Sequence, residues 1–200
     1  MRGFCQEENL KLEAADRYAL GDFNTTLLVA AVRDFSNGVR KIVSFSIGDG
    51  AIAWVERGRS ELLCSPDGGE YSGQTRFLTT VAVWPKAEDE WTSFRENRVF
   101  TKTIDADSVK RGFVAVMTDG VSDPFFETDA RLHDAAAWDE FLLGAADVDD
   151  GEKVLKNILS CPDADTASKQ LLSWLGFWSR GNHDDRTIVV LAPCGGRVFD

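Results

Sequence analysis

Residues 112–123 read Gly-Phe-Val-Ala-Val-Met-Thr-Asp-Gly-Val-Ser-Asp, an apolar run that ends in an aspartate motif. The uninterrupted apolar residues predict a buried strand that ends at Met117. Asp119 follows that strand directly, and one helical turn would bring Asp123 to the same side. The stretch therefore predicts a carboxylate held at the end of a rigid element, as binding of a hard divalent cation requires.

A second aspartate motif precedes another apolar run. Residues 181–187 read Gly-Asn-His-Asp-Asp-Arg-Thr, and the apolar run 188–191 follows them. Asp184 would thus lie at the start of a strand of the same buried type. Carboxylates that converge in low-dielectric surroundings repel one another unless a cation neutralises them. Together the motifs predict a metal site assembled by folding, although Asp119-Gly120 taken alone is equally typical of a simple turn.

Composition limits the possible classes of protein. The chain has 200 residues, 44% of them hydrophobic, which predicts one globular domain. A net charge of −11 without any basic cluster argues against nucleic-acid binding. The four cysteines are scattered, and no apolar run approaches the ~18 residues that span a membrane. We therefore expect a cytoplasmic protein with free thiols, no nucleic-acid partner and no membrane partner.

The pattern along the chain indicates strands first, then helices, then one closing strand, which is typical of an α+β layered domain. Asn37-Gly38 and Arg57-Gly58 predict tight hairpins, and Gly48-Asp49-Gly50 is a candidate for a third. Residues 65–74 are rich in glycine and predict a loop. The predicted strands are 25–32, 42–47, 51–56, 61–63, 98–104, 112–117 and 187–191, and the predicted helices are 7–20, 134–145, 151–159 and 165–178.

Side chains near these motifs have simpler interpretations. Arg186 could meet an anion, but a surface ion pair is the more ordinary role. His183 is a poor ligand for a hard cation, which prefers oxygen. Aromatic and apolar residues at helical spacing predict core packing rather than a ligand site; they are Trp138, Phe141, Trp174, Leu175 and Trp178.

Four short motifs, in this order and spacing, resemble those of the metal-dependent protein phosphatases of the type-2C (PPM) family. They are Asn24-Thr25-Thr26-Leu27, Gly48-Asp49-Gly50, the motif from Thr118 to Asp123, and Asp184-Asp185-Arg186-Thr187. The resemblance extends from about residue 23 to residue 191. It implies an α+β fold in which helices flank an antiparallel β-sandwich, here as a single, partial phosphatase-like domain over residues 1–200.

The resemblance also implies an activity and a ligand set. Members of this family hydrolyse phosphoserine and phosphothreonine in proteins with a water activated between two Mg or Mn ions. By this likeness Asp119 and Asp184 are ligands of one of these metals. Asp49 and Asp123 fall where the family often builds a third, weaker metal site that shares Asp119.

This sequence departs from the family pattern in its first part. The family opens with a strand that has an acidic pair near a phosphate-binding arginine, followed by an Asp-Gly-x-Gly-Gly motif, and neither is found here. Asp67-Gly68-Gly69 comes too late in the chain to replace that motif, and Gly50 stands where the family usually has serine. We therefore expect the family's N-terminal strands to be missing, weak binding of Mg or Mn, and little hydrolysis.

Two other hypotheses remain open from the sequence. A pseudophosphatase would keep the fold and use its acidic face to bind a phosphoprotein or a partner kinase without catalysis. A plain α+β domain would use the same aspartates only as turn residues. Binding of Mn that depends on Asp119 and Asp184 would separate the phosphatase hypothesis from both.

Overall fold

The computed structural model describes residues 24–64, 75–79, 84–143, 155–177 and 184–192. The strands in these ranges are β1 (Leu27–Asp34), β2 (Arg40–Ile47), β3 (Ala51–Glu56), β4 (Arg59–Leu62), β5 (Val99–Ile104), β6 (Phe113–Met117) and β7 (Ile188–Leu191). The helices are α1 (Glu90–Arg98), α2 (Ala106–Val109), α3 (Asp119–Phe126), α4 (Asp129–Leu132), α5 (Ala135–Leu143), α6 (Leu155–Leu159) and α7 (Ala164–Trp174). The predicted helix 7–20 and loop 65–74 lie outside the described residues.

The first sheet is antiparallel, with the strand order β1-β2-β5. β1 and β2 pair along their whole length, from Leu27 opposite Ile47 to Asp34 opposite Arg40. The predicted hairpin between them is confirmed, because the amide of Gly38 donates to the carbonyl of Phe35 at 2.9 Å. Alternate residues of β1 and β2 face the core, which is the pattern of strands with one buried face.

The second sheet is also antiparallel, with the strand order β4-β3-β6-β7. β2 and β3 therefore belong to different sheets, and the hairpin interpretation of Gly48-Asp49-Gly50 is wrong. This short segment instead moves the chain from one sheet to the other. β3 pairs with β4 and β6 instead, and every residue of β3 is buried, as in a strand that is covered on both faces.

The core lies between the sheets and continues into the helices. β1 packs across β3 and β6, and the half-buried Leu28, Ala30 and Val32 of β1 contact the core. From the helices, Phe126, Trp138 and Phe141 join the same cluster, with ring centroids 4.7 Å apart for Phe126 and Trp138. The chain is thus an α+β fold with an antiparallel sandwich and flanking helices, as the sequence predicts.

Most predicted elements are present within one to four residues of their predicted ends. Trp138 and Phe141 are buried, and Trp174 and Leu175 pack partly buried against the core, whereas Trp178 lies outside the described residues. The sequence interpretation missed α1, a polar helix without any buried residue, and also the shorter helices α2, α3 and α4. No helix among the described residues is long and apolar enough to cross a membrane.

Candidate metal centre

Three of the four predicted ligands lie at one edge of the second sheet. β6 is antiparallel to both of its neighbours, so its C-terminal end meets the N-terminal ends of β3 and β7. The register places Met117 opposite Ala51 on one side and opposite Ile188 on the other. Asp49, Asp119 and Asp184 lie just beyond these three residues. The sheet therefore brings together side chains that are far apart in sequence.

Thr118 fastens the segment before β7 to the end of β6. Its amide donates to the carbonyl of Thr187 at 3.0 Å, and its hydroxyl accepts a hydrogen bond from the amide of Thr187 at 3.0 Å. The same hydroxyl donates to the carbonyl of Asp185 at 3.0 Å. These bonds fix the backbone next to Asp184 relative to the backbone next to Asp119.

Asp119 begins helix α3 rather than a simple turn. Thr118 is the N-cap residue of α3 and Asp119 is the first helical residue, where a negative charge interacts favourably with the helix dipole. The amide of Gly120 donates to Oδ1 of Asp119 at 2.8 Å, which orients the carboxylate. The simple-turn interpretation of Asp119-Gly120 is therefore wrong, and the helical placement of Asp123 one turn later is confirmed.

Two glycines allow the backbones at this edge to approach closely. A Cβ atom on Gly120 would lie 2.5 Å from the carbonyl oxygen of Asp185 and 3.0 Å from that of Asp184. A Cβ atom on Gly50 would lie 2.6 Å from the carbonyl oxygen of Met117. The distances of 2.5 and 2.6 Å are shorter than real contacts of a Cβ atom, and the distance of 3.0 Å is tight. Position 50 therefore has no space for a side chain in this structure.

The electrostatics of Asp119 connect the three carboxylates. Partial burial raises the pKa of Asp119 above its ordinary value, and the negative charges of Asp49 and then Asp184 raise it further. The hydrogen bond from Gly120 opposes this shift by favouring the ionised form. A cation would relieve the same repulsion, so these oxygen donors fit a hard divalent ion.

The four predicted ligands do not form a compact cage. Across the described ranges, no three or more His, Cys, Asp or Glu side chains are gathered closely enough to hold a metal ion together. Coulombic repulsion acts over longer distances than metal coordination, so the carboxylates can influence one another without sharing an ion. Asp123 is exposed on α3, one turn beyond Asp119. His183 lies outside the described residues.

Thr75 is a neighbour of the site that the sequence interpretation missed. Its hydroxyl donates a hydrogen bond to Oδ2 of Asp49. The two residues are 26 positions apart, and a lone threonine after a glycine-rich stretch has no pattern that would single it out. Only the folded chain brings this hydroxyl to Asp49.

Arg186 has a role that differs from the predicted surface ion pair. It is partly buried, and its Nη1 donates to the carbonyl of Leu175 at 3.0 Å and to the carbonyl of Phe177. Its guanidinium carbon lies 4.0 Å from the centroid of the Phe177 ring. The ion-pair interpretation is wrong, since the contacts described for this side chain are to carbonyls and an aromatic face.

The family model for protein phosphatase 2C matches residues 4–176. The chain belongs to the protein phosphatase 2C family. The resemblance inferred from the four motifs is thereby confirmed, and so is the fold class. Comparison with curated proteins gave no match.

Several solved phosphatase structures are similar to this protein phosphatase 2C chain. The photosystem II phosphatase PBCP is 16% identical in sequence, with a TM-score of 0.39; the alignment covers 87% of this chain and 55% of that structure. A second similar structure is the PPM Ser-Thr phosphatase MsPP from Mycobacterium smegmatis in complex with cacodylate. It is 19% identical, with a TM-score of 0.37, and the alignment covers 84% of this chain and 62% of that structure. The phosphatase domain of SpoIIE from Bacillus subtilis is 13% identical, with a TM-score of 0.36, and the alignment covers 93% of this chain and 62% of that structure. The chain thus spans 55% to 62% of the length of these structures.

Proposed function

We propose that this chain is part of a protein serine/threonine phosphatase in which Asp119 and Asp184 bind one divalent cation, Mg or Mn. Asp49 and Asp123 would belong to a further, weaker site next to it. The observation that carries the proposal is the meeting of three strand ends next to Asp49, Asp119 and Asp184. The pKa of Asp119 agrees with it, since burial raises this pKa first and the charges of Asp49 and Asp184 add to the shift. Membership in the protein phosphatase 2C family supports the same reaction class.

The cations would supply the chemistry, and the chain would supply their position. When bound, two such ions lower the pKa of water and offset negative charge on phosphoryl oxygens. Thr118 holds the two ligand segments together, and the amide of Gly120 keeps the Asp119 carboxylate oriented. The proposed substrate is a phosphoserine or phosphothreonine in a protein, and scattered cysteines favour a reducing cytoplasm as the compartment.

We further propose that this chain, as a single domain over residues 1–200, binds the cations weakly and turns over slowly. The described residues contain no group of three ligands, whereas hard cations of this kind take six or more oxygen ligands from protein and water. Asp119 and Asp184, with Asp49 nearby, can attract a cation by their charge. They would supply only a few of its oxygen ligands. Weak affinity and impaired hydrolysis follow.

Calorimetric titration with Mn tests the proposal on the full chain. The wild type should show weak, saturable binding that falls at least about tenfold in D119N and in D184N, because each variant removes one charged ligand. D107N is the matched control, since Asp107 is 80% exposed and forms an ion pair with the exposed Lys110 at 3.2 Å. Its affinity for Mn should equal that of the wild type.

The outcomes separate the hypotheses. Saturable Mn binding that is unchanged in D119N and in D184N would contradict the proposed site. A folded chain without saturable Mn binding would favour the interaction module that binds a phosphoprotein or kinase without catalysis. Rapid Mn-dependent hydrolysis of p-nitrophenyl phosphate, abolished by D119N, would keep the site but refute the claim of impairment.

A further inference from the structure

Arg186 links the segment that contains Asp184 to the end of helix α7, where Leu175 lies 11 residues earlier in the chain. Helix α7 ends at Trp174, with Leu175 as its C-cap residue. The last carbonyls of a helix lack partners within the helix and bear partial negative charge. Arg186 donates to the carbonyl of Leu175 at the helix end and to the carbonyl of Phe177 just beyond the helix. A guanidinium suits this role because its donors are rigid and its charge is permanent.

The ring of Phe177 extends this anchor to the helix that begins with Asp119. The guanidinium of Arg186 lies over the Phe177 ring, and that ring packs edge-on against Phe125 with centroids 4.8 Å apart. Phe125 belongs to α3, whose first residue is Asp119. Phe125 also stacks on Trp174 of α7 at 5.5 Å. The same contacts therefore join α3, α7 and the segment before β7.

The segment before β7 is thus held from two directions. Thr118 binds the backbone of Asp185 and Thr187, and Arg186, which lies between them, binds the carbonyls of Leu175 and Phe177 through its own side chain. Asp184 is two residues from Arg186 in this short, extended stretch. A change at Arg186 would release one of the two attachments and leave the other in place.

We propose that Arg186 is a positioning residue that sets the location of Asp184 relative to Asp119. The inference rests on the proposed function, since it assigns Arg186 a purpose in cation binding. Arg186 does not touch the cation or the substrate. It acts by restricting the backbone from which the Asp184 carboxylate extends.

Two variants of the full chain separate this role from general stabilisation. R186M keeps much of the side-chain length but removes the donors, and we expect its affinity for Mn to fall on the order of tenfold at temperatures where it is folded by circular dichroism. R186K restores one charged donor without the planar fork, so its affinity should lie between those of R186M and the wild type. R131M is the control, because Arg131 forms only an exposed pair with Glu140 at 2.7 Å.

A second readout does not depend on the metal. The amide of Thr187 donates to the Thr118 hydroxyl, so its hydrogen exchange reports the position of the segment before β7. In R186M without metal, we expect this amide to exchange on the order of fivefold faster, while amides of β3 change less than about twofold. Exchange that rises equally in β3 would mean that Arg186 only stabilises the fold, and would overturn the inference.

The Mn titration provides the other decisive results. If the wild type binds Mn through Asp184 but R186M retains its affinity within about twofold, the positioning role is refuted. In D184N, adding R186M should lower the affinity little further, because the residue through which Arg186 acts has lost its charge. If the wild type shows no binding that depends on Asp184, the proposed function fails, and exchange at Thr187 alone decides whether Arg186 anchors the segment.

Discussion

The hydroxyl of Thr118 donates a hydrogen bond to the carbonyl of Asp185, 67 residues later in the chain, at 3.0 Å. Thr118 is the N-cap residue of α3, a position where threonine normally binds the first free amides of its own helix. Here no such capping bond is formed, and the hydroxyl serves the neighbouring segment instead. The hydroxyl of Thr118 therefore does not stabilise its own helix, and it holds the two aspartate motifs at a fixed distance instead.

Removal of the Thr118 hydroxyl should release the segment before β7 but lower the free energy of unfolding only slightly. T118V leaves the carbonyl of Asp185 and the amide of Thr187 without their partner, and partial exposure to water limits the loss of unfolding free energy to about 1 kcal/mol. T118S keeps the hydroxyl and should stay within about 0.5 kcal/mol of the wild type. Chemical denaturation measures both. Equal stabilities for T118V and T118S would show that the bond contributes nothing.

Neutralising Asp119 should stabilise the metal-free chain. Asp119 is partly buried and is repelled by Asp49 and Asp184, so its negative charge costs free energy in the folded state. We expect D119N to unfold at a higher temperature than the wild type without metal, and to lose the stabilisation that Mn gives the wild type. Thermal unfolding with and without Mn measures both effects. A lower unfolding temperature for metal-free D119N would contradict this account of the site.

Gly120 should resist replacement although it lies in a helix. Alanine is normally about 1 kcal/mol more favourable than glycine in a helix. At this position the added Cβ atom would lie 2.5 Å from the carbonyl oxygen of Asp185, so we expect G120A to destabilise the chain by about 1–3 kcal/mol. G176A is a milder comparison, because its Cβ atom would lie 3.2 Å from the carbonyl oxygen of Ser173. Urea unfolding of the two variants should separate them clearly, and a stabilised G120A would refute the close approach.

Asp34 should give the stability a dependence on acid pH. Its hydrogen bonds to the buried Arg40, at 2.6 and 2.9 Å, hold the pKa of the Asp34 carboxyl below its ordinary value. The ionised Asp34 therefore contributes to the free energy of unfolding. This contribution is complete above the unfolded-state pKa of about 3.9 and is lost as the pH falls through the lower folded-state pKa.

The variant D34N isolates this contribution. Asp34 is 59% exposed, which screens the pair, so D34N should be less stable than the wild type by only about 1 kcal/mol near neutral pH. The difference in unfolding free energy should shrink below about pH 4 as the wild type becomes protonated. A difference that is independent of pH would show that the charge of Asp34 plays no part.

Much of the fold could be predicted because the strands have strong local signals. The apolar runs of β3 and β6 and the glycine turns at Gly38 and Gly58 are visible in sequence, and the strands and hairpins they predict are present. Helix α1 was missed because it has no buried residue and therefore no apolar periodicity. The crossing at Gly48-Asp49-Gly50 was missed because a turn within a sheet and a turn between sheets use the same residue types.

The candidate site was predictable only in part. Asp119 and Asp184 were singled out because each borders a buried strand, and the register of β6 with β7 brings those borders together. Nothing local marks Thr75 or Arg186, since their partners at Asp49 and Phe177 are defined by contacts rather than by spacing. Side chains that act on distant backbone groups have no periodic pattern by which they could be recognised.

The sequence by itself determined the family, the α+β class and the residue types of the site, because motifs and hydrophobic patterns are local properties of the chain. Tertiary structure alone decided which strands lie side by side, and therefore that Asp49, Asp119 and Asp184 share one edge. It also decided that the Thr118 hydroxyl and the Arg186 guanidinium hold the backbone that follows Asp184. The physical reason is that hydrogen bonds, close packing and repulsion between carboxylates depend on distances in space, which the order of residues does not specify.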